Sequence, residues 1–236
     1  MRLDRYLFEK GFTKSRNKAS ELIKSGEVFI DDKKVTKPGF EVNDDSKIRI
    51  LNLKQYVSRA GEKLKRFLVS VKSIDIKDRV CLDIGSSTGG FAEVLIEEGA
   101  KRVVCVDVGS NQLHPTLRDS SKIELYEEQD VRDFVPKEKF DLVTCDVSFI
   151  SVVDILEDLD RLADDKIIIL FKPQFEVGKL AKRDKKGVVK DKKAIERAKE
   201  RFLSLCLQKW DKIVELDSDV KGKEGNIERF YYFQKR

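Results

Sequence analysis

Residues 80–91 read VCLDIGSSTGGF, and they are the most informative stretch of the sequence for the fold. An apolar run ends near Asp83, a turn rich in glycine follows, and a second apolar run begins at Phe91. Glycines let a backbone approach a ligand closely, and the first turn of a helix presents free N–H groups to it. The stretch therefore predicts a buried strand, a ligand-binding turn and a helix, as in nucleotide-binding α/β folds.

The surroundings of the turn narrow the type of ligand. Asp107 lies in the next apolar run, VVCVDV, where a carboxylate can accept hydrogen bonds from both ribose hydroxyls of an adenosine-containing cofactor. The turn has no Lys-Ser or Lys-Thr pair to cradle a triphosphate, which argues against ATP hydrolysis. S-adenosylmethionine is the favoured cofactor, with an NAD-type cofactor and a purely structural turn left open. The residues predicted to bind it here are Asp83, Gly85, Ser86, Ser87, Thr88, Gly89, Phe91 and Asp107.

Strand-like and helical runs alternate from residue 79 to the end of the chain. The strand-like runs are RVCLDI, VVCVDV, IELYEEQDV, FDLVTCDV, KIIILF, IVELDSDV and RFYYFQ. Apolar strands that alternate with helices predict a largely parallel sheet covered on both faces. The polar loop KGKEGNIE between the last two runs favours an antiparallel edge. The predicted class is α/β, a Rossmann-like, doubly wound sheet.

The first fifty residues have a different pattern and an excess of positive charge. Two groups of apolar residues at helical spacing flank Gly11, and short β-like runs follow Gly26, which predicts two helices and a small β-ribbon. Residues 1–60 contain 14 Lys and Arg against nine Asp and Glu, a local excess that suits phosphate binding. We expect a small α+β domain at residues 1–52, a linker at 53–59 and the α/β domain at 60–236.

Composition argues against several other classes of protein. No apolar run approaches the roughly 20 residues that span a bilayer, and the N-terminus lacks a signal-peptide pattern, so we expect a cytoplasmic protein without a membrane partner. The four cysteines stand singly in apolar runs, which indicates buried thiols rather than a zinc site. Because His114 is the single histidine, chemistry must depend on Asp, Glu, Lys or a cofactor. We expect no metal, and a monomer.

Two charged residues come directly at the ends of predicted strands. Asp146 ends FDLVTCD, and Lys172 follows KIIILF. The carboxyl ends of parallel strands meet at one edge of the sheet, where ligands bind in open α/β folds. Pro173 keeps Lys172 extended, because the residue before a proline is driven out of the helical region. The side chains of Asp146 and Lys172 are therefore predicted to meet beside the cofactor.

The N-terminal stretch RLDRYLFEKGFTKSRNKASELIKSGEVFIDDKKV resembles the S4 RNA-binding domain. The resemblance covers about the first fifty residues and includes RLD, the SR that opens the second helix, and the turn into the first strand. In S4-like domains the second helix and the adjoining turn present basic residues to structured RNA. The resemblance implies phosphate contacts from Arg2, Arg5, Lys14, Arg16, Lys18 and Lys24.

The VCLDIGSSTGGF stretch resembles the cofactor motif of class I methyltransferases, and more narrowly that of the FtsJ-type ribose 2'-O-methyltransferases. The resemblance implies that Asp130, in EEQDVRDF, lies near the adenine; a helix N-cap is the other interpretation of this residue. The same resemblance implies that Asp146 also binds the cofactor. Four positions match the lysine–aspartate–lysine–glutamate set of those enzymes: Lys63 in SRAGEKL, Asp146, Lys172 and Glu228 in GNIERF.

The four matched residues suggest a mechanism. Methyl transfer to a ribose hydroxyl needs the hydroxyl in line with the S–CH3 bond and its proton withdrawn during attack. A lysine can take that proton only if burial or a neighbouring cation favours its neutral form. The hypothesis is that Lys63 and the sulfonium act in this way on Lys172, while Asp146 orients Lys172 and Glu228 holds Lys63.

The order of motifs along the whole chain is similar to that of the TlyA family, also called hemolysin A. YVSRAGEKL, DIGSSTGGF, CDVSFIS, FKPQFE and KKGVVKD follow the S4-like start, with Ala60 where such junctions often have glycine. The resemblance implies 2'-O-methylation of a cytidine in ribosomal RNA, with ribosomal RNA or ribosomal subunits as partners and a link to capreomycin susceptibility. Two alternatives stay open: methylation of cytosine C5 through Cys145, and a non-catalytic RNA-binding or ribosome assembly protein.

Overall fold

A computed structural model describes residues 1–13, 15–31, 33–43, 45–50, 56–71 and 73–236. The chain divides into two compact units, Met1–Gln55 and Tyr56–Arg236. The predicted linker at 53–59 falls partly outside the described residues. Within the described ranges, no helix is long and apolar enough to cross a membrane.

The N-terminal unit is a pair of short helices with a small antiparallel sheet. Gly11 follows the first helix with a φ of 76°, and the Ser15 hydroxyl caps the second helix by accepting a hydrogen bond from the Lys18 N–H. Leu3, Leu7 and Ile23 are fully buried in the core between the helices and the sheet. The elements are α1 (Leu3–Glu9), α2 (Arg16–Lys24), β1 (Val28–Ile30), β2 (Lys33–Val35) and β3 (Ile48–Ile50), with strand order β2-β1-β3.

The larger unit is built on a seven-stranded sheet. Its strands are β4 (Val80–Ile84), β5 (Arg102–Val106), β6 (Ile123–Tyr126), β7 (Phe140–Cys145), β8 (Ala163–Phe171), β9 (Trp210–Asp217) and β10 (Arg229–Lys235). The order across the sheet is β6-β5-β4-β7-β8-β10-β9, with β10 antiparallel to both of its neighbours. The prediction of a mostly parallel sheet with an antiparallel edge is therefore confirmed.

Helices cover both faces of this sheet. They are α3 (Arg59–Val71), α4 (Gly90–Glu97), α5 (Pro115–Arg118), α6 (Leu156–Leu162), α7 (Pro173–Glu176) and α8 (Lys192–Cys206), with 3-10 turns at Val131–Asp133 and Val152–Ile155. Side chains of β4 alternate between two cores: Cys81 packs with α3 and α4 residues, whereas Leu82 packs with α6 and α8 residues. Each fully buried Leu or Phe in these cores contributes roughly 1.5–3 kcal/mol.

The strand order of the sheet determines where a ligand-binding crevice can form. The chain runs outward from β4 through β5 to β6, and then returns to place β7 on the other side of β4. Where the order reverses, the turns after β4 and β7 diverge and leave a crevice at the carboxyl edge. All four cysteines are buried free thiols, as their apolar sequence context predicts.

Candidate functional site

A cavity of about 310 Å³ opens at the carboxyl edge of β4, β7 and β8. This volume lies at the lower end of the range for small-molecule sites. Nine of the lining residues were predicted from the sequence: Lys63, Asp83, Gly85, Ser86, Ser87, Thr88, Phe91, Asp146 and Lys172. Five were not assigned to the site: Ser58, Arg59, Ala60, Ser148 and Lys223. Gly89, Asp107, Asp130 and Glu228 lie outside the lining.

The glycine-rich turn depends on Gly85 and Gly89. Gly85 has a φ of 75°, and a Cβ there would lie 3.1 Å from the Cα of Val147. Gly89 has a φ of 91° directly before α4, and a Cβ there would lie 2.4 Å from a methyl carbon of Leu117. Only glycine adopts these angles without strain, so both positions fix the path of the turn.

Asp83 is a fully buried carboxylate whose two oxygens are held by the protein. Oδ1 accepts a 2.9 Å hydrogen bond from the Thr144 hydroxyl, and Oδ2 accepts one of 3.2 Å from the Ala92 N–H in α4. Burial raises the pKa of Asp83 to about 7, and the nearby charges of Asp146 and Asp107 act in the same direction. A cation that enters the cavity would favour its ionised form.

Asp107 and Asp130, which lie outside the cavity lining, form hydrogen bonds within the protein. Asp107 accepts 2.7 Å hydrogen bonds from the N–H groups of Ser87 and Gly109, so it braces the glycine-rich turn. Asp130 accepts a hydrogen bond from the Arg132 N–H at the start of the 131–133 turn and forms an ion pair with the Arg132 side chain. The N-cap interpretation of Asp130 is confirmed, and the contacts of both residues with a cofactor stay predictions.

Lys63 and Glu228 form a buried ion pair although they are 165 residues apart in the sequence. Nζ of Lys63 lies 2.6 Å from Oε2 of Glu228, and the two side chains are only 9% and 4% exposed. The side-chain amide of Gln174 donates a 3.1 Å hydrogen bond to the other carboxylate oxygen. Lys63 is therefore held at the cavity by a carboxylate that is itself oriented.

Lys172 and Asp146 form the second ion pair of the cavity. Nζ of Lys172 lies 2.8 Å from Oδ1 of Asp146 and donates hydrogen bonds to the Ser148 hydroxyl at 2.8 Å and to the Asp146 main-chain oxygen at 3.1 Å. Lys172 is extended, with φ −117° and ψ 100°, directly before Pro173 at the start of α7. Burial raises the pKa of Asp146, and the attraction of Lys172 opposes this effect.

A close helix contact brings Lys63 to the cavity. A Cβ on Gly61 in α3 would lie 2.8 Å from the Gly90 oxygen, and a Cβ on Gly90 would lie 2.7 Å from the Gly61 nitrogen. Glu93 of α4 also accepts a 2.7 Å hydrogen bond from the Val57 N–H just before α3. Because glycine occupies both positions, α3 can pack directly on the start of α4.

Most of the basic residues predicted to bind RNA in the N-terminal unit have acidic partners there. Arg2 and Arg16 both pair with Asp4, at 2.9 and 3.2 Å, and these partners lower the pKa of Asp4 to about 2. Arg5 pairs with Glu9, and Lys18 pairs with Glu21. Lys24 is exposed at the end of α2. Lys14 lies outside the described residues.

Comparison with known proteins identifies the family. The S4 domain family model matches residues 1–48, and the FtsJ-like methyltransferase model matches residues 56–236. A Campylobacter jejuni relative, 23S rRNA (cytidine-2'-O)-methyltransferase TlyA, is 46% identical over 100% of both chains. The chain belongs to the TlyA family of FtsJ-like methyltransferases. As a TlyA-family methyltransferase, it is expected to use S-adenosylmethionine as methyl donor.

Other TlyA-family members and solved structures are similar over most of the chain. The 16S/23S rRNA (cytidine-2'-O)-methyltransferase TlyA of Mycobacterium tuberculosis is 36% identical, covering 99% of this chain and 89% of its own. A solved structure of a Streptococcus thermophilus protein described as a hemolysin has a TM-score of 0.71 and 31% identity, covering 100% of this chain and 88% of that one. A methyltransferase from Synechocystis with bound S-adenosylmethionine, at 15% identity and a TM-score of 0.51, shares the fold.

Proposed function

We propose that this chain transfers a methyl group from S-adenosylmethionine to the ribose 2'-hydroxyl of a cytidine in ribosomal RNA. The observation that carries the proposal is the meeting of two buried lysine–carboxylate pairs, Lys63 with Glu228 and Lys172 with Asp146, at one cavity. The names of the two curated TlyA relatives support the substrate, and the S4 domain supports an RNA partner.

The cavity fits the cofactor in charge and in position. S-adenosylmethionine carries positive charge at its sulfonium and at its amino group, and two carboxylates line the cavity: the fully buried Asp83 and the largely buried Asp146. In the proposal the glycine-rich turn and Asp83 hold the methionine part, Asp107 and Asp130 hold the adenosine part, and Asp146 lies nearest the sulfonium. When bound, the cofactor supplies an electrophilic methyl group.

Lys172 is the proposed base. Its Nζ is fixed by Ser148 and by the main-chain and side-chain oxygens of Asp146, so it has one position from which to accept the proton of a ribose hydroxyl. A lysine accepts a proton only in its neutral form. Lys63 lines the same cavity, and its ion pair with Glu228 holds it there.

Phe149 offers a surface on which the target base can stack. Its side chain is 89% exposed, and its φ of 70° is unusual for a residue with a side chain. It follows Ser148, which lines the cavity, and its ring lies 5.3 Å from that of Phe175. Recognition of single-stranded RNA commonly uses bases stacked on aromatic side chains. An exposed aromatic ring beside the cavity therefore supports an unpaired nucleotide as substrate.

The thiol of Cys145 is poorly suited to the alternative of covalent C5-methylation. Cys145 is buried in the core, and burial raises its pKa to about 12. A thiol must ionise to attack a base, so this one would be both inaccessible and protonated near neutral pH.

The experiment is transfer of labelled methyl groups from S-adenosylmethionine to ribosomal RNA by the full chain. A ribose 2'-O-methyl group blocks alkaline cleavage of the neighbouring phosphodiester bond, whereas a methyl group on the base does not. We expect the label in an alkali-resistant dinucleotide that contains cytidine. Label in free mononucleotides would exclude 2'-O-methylation, and no transfer to RNA or intact subunits would leave the non-catalytic alternative.

A further inference from the structure

A lysine-rich hairpin lies between α7 and α8 of the larger unit. Residues 178–190 read GKLAKRDKKGVVK, with five lysines and one arginine against a single aspartate. We call these residues the basic hairpin. None of these residues lines the cavity described above.

The basic hairpin has a defined shape. Arg183 and Val189 form an antiparallel bridge, and the Lys190 N–H donates a 2.8 Å hydrogen bond to the Lys182 oxygen. At the tip, the Asp184 carboxylate accepts hydrogen bonds from the N–H groups of Lys186 and Val188, at 2.9 and 3.0 Å. Because the turn is already ordered, its lysines can meet a ligand without the entropic cost of ordering a loop.

Two hydrogen bonds fasten the basic hairpin beside the cavity. The Arg183 guanidinium donates to the Gln174 main-chain oxygen at 2.9 Å, and the Val189 N–H donates to the buried side-chain oxygen of Asn226 at 3.0 Å. The Gln174 amide in turn holds Glu228, the partner of Lys63. The hairpin is thus linked through Gln174 to the buried Lys63–Glu228 pair.

Several lysines of the basic hairpin have free charges. Arg183 is used in the attachment, and Lys190 pairs with Asp184 at 3.2 Å. Among the described residues, no carboxylate lies within ion-pair distance of the exposed Lys179, Lys182, Lys185 and Lys186. By contrast, Lys199 of α8 and Lys212 of β9 have acidic partners, Glu196 and Glu215. The free cations suit an anion outside the protein.

We propose that the basic hairpin binds the phosphates of the RNA strand that enters the cavity. The inference rests on the proposed function for its choice of RNA. A lysine ammonium binds phosphate as a compact point charge, and several fixed at one edge of a site suit a chain of phosphates. The logarithm of RNA affinity falls linearly with the logarithm of salt concentration. Each phosphate neutralised by a lysine makes this slope steeper by about 0.7–0.9. The larger unit would then contribute to RNA binding in addition to the S4 domain.

The test compares two triple variants of the full chain with equal loss of charge. One carries Lys182→Gln, Lys185→Gln and Lys186→Gln, and the control carries Lys101→Gln, Lys137→Gln and Lys139→Gln, which removes exposed lysines at the opposite edge of the sheet. The probe is deproteinised 23S ribosomal RNA. At about 100 mM salt we expect the hairpin variant to bind this RNA on the order of tenfold to hundredfold more weakly than the parent chain. The slope of its log affinity against log salt concentration should be shallower by about two to three. The control should bind like the parent chain, and both variants should bind S-adenosylmethionine normally.

Three results would overturn this inference. These are an RNA affinity and salt dependence of the hairpin variant equal to those of the parent chain, an equal loss in both variants, and a defect of the hairpin variant with intact subunits that is missing with naked RNA. The last result would indicate a protein partner. The failure of the proposed function is distinguishable, because the parent chain would then transfer no methyl group to RNA whatever the hairpin variant binds.

Discussion

The two units both pair cations with carboxylates, but in opposite surroundings. In the N-terminal unit Arg5 and Glu9 are 59% and 39% exposed, whereas Lys63 and Glu228 in the larger unit are 9% and 4% exposed. An exposed pair contributes about 0–1 kcal/mol, so its cation can exchange a carboxylate for an RNA phosphate at little cost. A buried pair strongly resists separation, because each member would leave the other charged in a dry site. The first arrangement suits binding, and the second suits a fixed catalytic geometry.

Asp4 shows how the N-terminal unit combines both properties. Its carboxylate is buried, while the side chains of Arg2 and Arg16 that it pairs with are each 52% exposed. The carboxylate fixes the two guanidinium groups, while about half of each arginine side chain stays exposed. These arginines are therefore positioned for RNA, in contrast to Lys63, which is enclosed.

The largest expected effect on stability comes from breaking the buried pair. Glu228→Gln leaves the Lys63 charge without its carboxylate and should destabilise the larger unit by about 3–5 kcal/mol. Urea unfolding followed by fluorescence of Trp210, the single tryptophan and buried in this unit, measures the loss. The double variant Lys63→Met with Glu228→Leu should regain stability without regaining methyl transfer. A loss below about 1 kcal/mol in Glu228→Gln would show that this buried pair contributes no more to stability than an exposed pair does.

The two units should also differ in the sign of their pH dependence. Burial raises the pKa of Asp83 to about 7, above its ordinary value of 3.8, so the folded state holds a proton that the unfolded chain releases. Stability from Asp83 is present below about pH 4 and lost as pH rises to 7, on the order of 4 kcal/mol at about 1.36 kcal/mol per pKa unit. The pKa of Asp4 is lowered to about 2, so its contribution is lost as pH falls from 4 to 2.

Variants of the two aspartates separate these effects. Asp83→Asn should remove the fall in the free energy of unfolding between pH 4 and 7 and keep the loss of stability between pH 4 and 2. Asp4→Asn should remove the loss between pH 4 and 2 and keep the fall between pH 4 and 7. Trp210 fluorescence reports the larger unit, and hydrogen exchange of the backbone amides of α1 and α2 reports the N-terminal unit. Identical pH profiles for the parent chain and Asp83→Asn would refute the buried proton.

A smaller effect is expected at the exposed ring beside the cavity. Phe149→Ala should raise the KM for ribosomal RNA by roughly 5- to 150-fold, because stacking of a base on an aromatic ring contributes about 1–3 kcal/mol. Affinity for S-adenosylmethionine should not change. Phe149→Tyr is the matched control, since it keeps the ring. Equal KM values for the alanine and tyrosine variants would exclude stacking.

The smallest effect should be seen in the exposed pair of the N-terminal unit. Arg5→Gln removes the ion pair with Glu9, and we expect a change in unfolding free energy of less than about 0.5 kcal/mol. Affinity for RNA should fall, with a salt dependence lower by about one. Glu9→Gln, which frees Arg5, should leave or improve RNA affinity. A large stability loss in Arg5→Gln would remove the contrast between the units.

The local pattern of apolar and polar residues predicted most of the fold. It also predicted the two residues of the ion pairs that follow strands directly. The alternation of apolar runs defined the sheet, and Asp146 and Lys172 followed from their places after β7 and β8. The partnership of Lys63 with Glu228 has no local signal, because it joins α3 to a loop before β10, and only the family resemblance indicated it.

Other features depend on close three-dimensional approach. The contact of Gly61 with Gly90 is invisible to periodicity, because a glycine in a helical run gives no indication of a neighbour. Ser148 and Gln174 lie within two residues of the predicted Asp146 and Lys172, and that proximity was the available signal for them. Asp107 was predicted to face a ribose, but its main-chain partners in the turn depend on the loop geometry after β5.

The role of Lys172 as the base is tested by the rate of methyl transfer by Lys172→Arg, with Lys139→Arg at the opposite edge of the sheet as control. Arginine keeps the positive charge but does not act as a base, because it stays protonated in proteins. We expect a kcat lower by about 10²–10⁴-fold with near-normal affinity for S-adenosylmethionine, and an unchanged control. Methylation of ribosomal RNA by Lys172→Arg at the parent rate would contradict it.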